Sequence, residues 1–79
     1  MLTIGPNCYV NSEEIEAIIP PESAPVKRMI SDRKDADLCI EATYGKRVKS
    51  VIILKSGKIV LSAVTPETLS DRFKKLRNA

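Results

Sequence analysis

Histidine and tryptophan are absent from this 79-residue chain, and its aromatics amount to two tyrosines and one phenylalanine. Without histidine, the common general base and metal ligand is missing. The two cysteines, Cys8 and Cys39, each lie in a short apolar run and lack paired spacing. Neither a disulfide framework nor a structural zinc is therefore expected. The longest unbroken apolar run, Val51-Ile52-Ile53-Leu54, falls far short of the roughly 20 residues that a membrane span requires. No basic stretch followed by an apolar run marks the N-terminus, so no secretory signal is expected. These absences predict a soluble, cytoplasmic protein with no cofactor, no metal and no catalytic centre.

What remains is one thin domain. A chain of this size buries only about 60% of the surface that its unfolded form exposes. With disulfide and metal set aside, self-association is the remaining source of extra stability. The net charge of +3 conceals an asymmetry. Residues 1–45 carry four basic against eight acidic side chains, a net −4, and residues 46–79 carry nine against two, a net +7. Such a split fits a surface that faces a polyanion, subunits that meet opposite charge to opposite charge, or simply a solvated charged face.

Read along the chain, residues 2–4 and 8–10 are short strands around a Gly5-Pro6-Asn7 turn. Residues 14–19 form a third strand, stopped by Pro20 and Pro21. Residues 21–25 open a helix in which Ser23 caps and Val26, Met29, Ile30 and Arg33 share one side; it fades by Asp35 or Ala36. Leu38 to Thr43, Arg47 to Lys55 and Lys58 to Ala63 read as strands in two successive hairpins. Thr65 caps a last helix with Pro66 at its first position, Val64 stapled to Leu69, and Leu69, Phe73 and Leu76 in a stripe. Arg72, Lys74, Lys75 and Arg77 crowd its final turns. The order is β-β-β-α-β-β-β-α, an α+β domain with small antiparallel sheets and two helices.

Catalytic chemistry finds little support. Glu13, Glu14 and Glu16 read as a solvated edge, and neither cysteine adjoins a helix N-terminus that would activate it. Gly45-Lys46 and Ser56-Gly57-Lys58 lack the spacing of a phosphate loop. The segment Tyr44-Gly45-Lys46-Arg47-Val48-Lys49 is different, with three cations in four residues at a turn. Glycine there permits close backbone approach to a phosphate, and Lys and Arg can neutralise phosphates or reach a groove. A protruding basic turn also serves solubility, and one such loop binds weakly unless an oligomer repeats it.

Three long segments resemble the RemA family of bacterial regulators: Pro21-Glu22-Ser23-Ala24-Pro25-Val26-Lys27-Arg28-Met29-Ile30, Ala42-Thr43-Tyr44-Gly45-Lys46-Arg47, and Leu61-Ser62-Ala63-Val64-Thr65-Pro66-Glu67-Thr68. The resemblance covers roughly residues 2–73. It implies a LytTR-like fold, assembly into a ring-shaped homo-oligomer, and control of extracellular-matrix and biofilm genes by binding and bending double-stranded DNA along a basic outer surface. The family's loop carries two consecutive arginines on DNA, which places Lys46 and Arg47 as principal contacts, with Lys49, Gly45 and Tyr44 beside them. Lys46 keeps the charge but turns a bidentate fork into a point charge.

Two further departures stand out. Asn7 replaces a glycine in the first turn, which asparagine tolerates. Glu14 replaces an arginine ahead of the third strand, so a cationic contact there cannot carry over, and Glu14 becomes a candidate to face a neighbouring subunit. Lys27, Arg28 and Arg33 are candidates for DNA or for acidic groups of an adjacent subunit. Pro25 and Met29 suit packing or an interface, and Tyr44 suits packing beneath the loop as readily as stacking. The expected partners are double-stranded DNA and further copies of the chain, with no membrane and no small-molecule substrate. The alternatives are an interaction adaptor assembled through complementary charge, and an RNA-binding module, which is poorly provisioned with only Tyr9, Tyr44 and Phe73 for stacking.

Overall fold

Two strands with nearly continuous apolar sequence, β5 (Ser50–Leu54) and β6 (Ile59–Ser62), occupy the centre of a four-stranded sheet. Strands buried on both faces read as unbroken runs rather than alternations, and these two have cover on both. The computed structural model describes residues 1–5 and 8–77, with side chains through Leu76. The outer strands are β3 (Ile15–Ile19) and β4 (Cys39–Ala42), in the order β3-β5-β6-β4. A separate antiparallel pair, β1 (Leu2–Gly5) and β2 (Cys8–Val10), lies over one face. The Pro6-Asn7 part of the first turn, and with it the expectation for Asn7, lies outside the described residues.

The strand alternation sorts the core into two clusters. Ile52 and Val60 point to the face where Leu2, Ile4, Val10 and Leu69 are buried, Leu69 belonging to α2 (Pro66–Arg77). Val51, Ile59 and Leu61 point to the other, against Val26, Met29 and Ile30 of α1 (Ala24–Asp35). The caps are as expected. Ser23 Oγ accepts from the Val26 amide at 3.4 Å, and Thr65 Oγ1 from the Thr68 amide at 3.4 Å. Val64 packs on the cluster that contains Leu69, as the staple requires. The element order is the one expected, with a single 3-10 turn at Ser12–Glu14 leading into β3.

One expectation fails. β4 and β5 do not form a hairpin; β4 pairs in parallel with β6, while β5 pairs antiparallel with both β3 and β6, so the sheet is mixed. The most apolar strands take the centre. β4, whose Ile40 and Glu41 stay exposed, takes an edge. The predicted strand from Arg47 accordingly begins only at Ser50. Residues 43–49 are the connection that carries the chain past the C-terminal end of β6. The Arg-Val-Lys alternation there mimics strand periodicity without ladder partners on both sides.

Candidate functional site

The crossing just described turns the basic segment into an exposed loop. Thr43, buried, starts a tight turn in which its carbonyl accepts from the Lys46 amide at 3.0 Å. Both central residues have positive φ, 52° at Tyr44 and 82° at Gly45, which is the pattern of a type I′ turn. Glycine meets that demand freely, whereas Tyr44 holds a conformation costly for a side chain. At the far end the Lys49 amide donates to Ser62 O at 2.8 Å, tying the loop to β6. The loop is therefore fastened at both ends.

Beneath it lies a polar anchor that the sequence pattern did not reveal. Ser50 and Ser62, both fully buried, face each other in the β5–β6 register. Ser62 Oγ donates to Ile4 O at 2.6 Å and accepts from the Val64 amide at 3.1 Å. Ser50 Oγ donates to Val64 O. Two hydroxyls thus bind β1, the end of the central strands and the entry to α2 into one base. Small polar residues flanking apolar runs were the only available signal, and on sequence Ser50 lies inside the strand expected from Arg47 to Lys55 and Ser62 inside that from Lys58 to Ala63.

Lys46, Arg47 and Lys49 are all exposed, and none is in an ion pair among the described residues, where Lys34 to Glu41 at 3.1 Å is the sole such pair. Tyr44 is 64% exposed, so it does not pack beneath the loop. The three cations do not share one environment. Lys46 and Lys49 line a hollow of about 200 Å³ beside Gly5 and Thr43, with no carboxylate in its wall. Arg47, with Lys49, lines a groove of about 530 Å³ that also holds Glu22 and Glu67.

The remaining candidates are dispersed. Lys27 and Arg28 are exposed on α1, as is Pro25 in its first turn, while Met29 is half-buried against the sheet. Arg33 is committed within the subunit, its Nε donating to Gly57 O at 2.8 Å. Glu14 is exposed in the 3-10 turn, and its carbonyl accepts from the Lys55 amide at 2.8 Å. Cys39 sits under α1, and burial pushes its thiol above the ordinary range. The Lys34 ammonium opposes that shift, and the Glu41 carboxylate adds to it. Among the described residues no cluster of three or more His, Cys, Asp or Glu side chains is placed to hold a metal, and no helix is long and apolar enough to cross a membrane.

Comparison with known proteins places this chain in a family of regulatory proteins. The family model for extracellular matrix regulatory protein A-like proteins matches residues 1–73. A protein of Microcystis aeruginosa is 48% identical over 73 residues, which is 92% of this chain and 82% of that protein. One of Nostoc sp. strain PCC 7120 is 45% identical over 73 residues, 92% of this chain and 83% of its own length. One of Lachnoclostridium phytofermentans is 44% identical over 72 residues, 91% and 79% respectively. Each of the three is named for a regulatory role and nothing more specific.

Proposed function

We propose what this chain does from what it is kin to: it belongs to the RemA-like family. It is a transcriptional regulator of extracellular-matrix genes that grips and bends double-stranded DNA through the loop at residues 44–49. Lys46 and Arg47 are the principal contacts and Lys49 supports them. The observation that carries this reading is the state of the three cations: exposed, unpaired among the described residues, and presented on a loop fastened at Thr43 and at Ser62. A fastened loop loses little freedom when it meets a phosphate, so its charge is used at low entropic cost.

One loop holds DNA weakly, and a homo-oligomeric ring repeats it so that each further contact is intramolecular. Lysine at position 46 supplies phosphate neutralisation without bidentate base reading, so specificity comes from how readily a sequence bends. The test is fluorescence anisotropy of a labelled duplex over a salt series. Each phosphate neutralised contributes about 0.9 to the slope of log affinity against log salt. A slope above what one loop can supply is the expected result, and Lys46→Ala/Arg47→Ala is expected to reduce it. Unchanged affinity in that double variant removes the loop from the interface. No binding at low salt turns the reading to an interaction adaptor.

A further inference from the structure

Three of the cations outside the loop fall together. Arg72, Lys74 and Lys75 lie on the last turns of α2, exposed and outside any ion pair among the described residues. Lys74 and Lys75 fall beyond residue 73, where the family match ends. Arg72 and Lys75 line a second hollow, of about 450 Å³, together with Met1 and Thr3, and Arg72 donates to Thr3 O at 2.9 Å. Its wall contains no carboxylate. Neither does the wall of the hollow at Lys46 and Lys49, whereas the other cation-bearing grooves contain Glu13 or the Glu22 and Glu67 pair.

Both carboxylate-free hollows border the same strand. Residues 1–3 flank the one at Arg72 and Lys75, and Ile4 with Gly5 flank the one at Lys46 and Lys49. β1 comes close by its backbone to the end of β4, where the chain enters the loop, since a Cβ on Gly5 would stand 3.2 Å from Ala42 O.

We infer that β1 marks a polyanion track: the phosphates of one DNA duplex contact Lys46 and Lys49 at one end of the strand and Arg72 and Lys75 at the other. The inference rests on the DNA-binding reading above and extends it to a second anchor at the end of α2.

The experiment is the same duplex titration over salt, run on the full chain and on three single variants. Lys75→Glu is expected to weaken binding about tenfold and to lower the salt slope by roughly 0.9 for each phosphate that is no longer neutralised. Lys75→Gln, which removes the charge without reversing it, is expected to show the same fall in slope with a smaller loss of affinity. Lys58→Glu makes the identical charge change at the β5–β6 turn, outside the walls of both hollows, and is expected to change the slope little. Full binding by Lys75→Glu, or equal losses in the Lys75 and Lys58 charge reversals, overturns the second anchor while the loop reading stands. If the unaltered chain does not bind duplex at low salt, the loop reading fails first and the track with it.

Discussion

The two faces of the sheet are covered to different depths. On one face β1, β2 and α2 close over Ile52 and Val60, and the helix contributes Leu69, wholly buried. On the other α1 lies across Val51, Ile59 and Leu61 without burying any residue of its own fully; Val26, Met29, Ile30 and Arg33 are all left partly exposed. One sheet therefore has a sealed core on one side and a lightly seated helix on the other. Local stability follows buried apolar contact, so the β1–α2 face is expected to hold the molecule together. The loop at residues 44–49 is tied to that face, through Ser62 and Ile4.

Truncating one apolar side chain on each helix probes this difference most directly. Leu69→Ala opens a cavity in a fully packed site and is expected to cost about 2–5 kcal/mol, enough to unfold much of a domain this small. Met29→Ala removes a partly buried side chain and is expected to cost about 1 kcal/mol. Chemical denaturation of both variants measures the gap. Equal losses would mean that α1 is seated as firmly as α2.

The next largest effect tests how the loop is joined to the sealed face. Ser62→Ala strips the partner from both Ile4 O and the Val64 amide, which the Ser62 hydroxyl bridges. Unsatisfied buried groups of this kind cost about 1–3 kcal/mol. The same variant is expected to weaken duplex binding although residue 62 touches no DNA, because residue 62, whose carbonyl still holds the Lys49 amide, is no longer fixed to Ile4. Thermal unfolding alongside anisotropy separates the two consequences. A variant that is destabilised yet binds normally would show that the loop needs no rigid base.

Local chemistry made most of the fold legible from sequence. Both helices announce themselves by cap, proline and apolar stripe, and Ser23 and Thr65 cap as those signals require. Strand existence followed from apolar runs, but strand pairing did not. Tyr44-Gly45 reads as a hairpin turn, and it does adopt turn geometry. Nothing within residues 38–55 reports that β6 will enter between the strands on either side. That choice depends on which strands most need burial on both faces, a property of the whole sheet. The candidate cations were legible as a charge run, while the carboxylates that share the Arg47 groove, Glu22 and Glu67, come from distant positions and emerge only on folding.

The smallest expected effect concerns the lightly covered face. Cys39 lies beneath α1 with its thiol raised above the ordinary range, chiefly by burial. A raised value means that the folded chain holds the proton more tightly than the unfolded chain does. The associated stability is therefore fully present below the ordinary thiol range and is lost as pH rises through the folded-state value. The exposed Lys34 and Glu41 pair nearby adds little of its own, about 0–1 kcal/mol. In a Cys8→Ala background, alkylation of the single remaining thiol followed against pH should show a midpoint above that of a free cysteine. Met29→Ala added to that background should speed the reaction and move the midpoint back toward the ordinary value. A midpoint indifferent to Met29 would place the protection in the sheet edge itself, and the contrast between the two faces would then owe less to α1 than its position suggests.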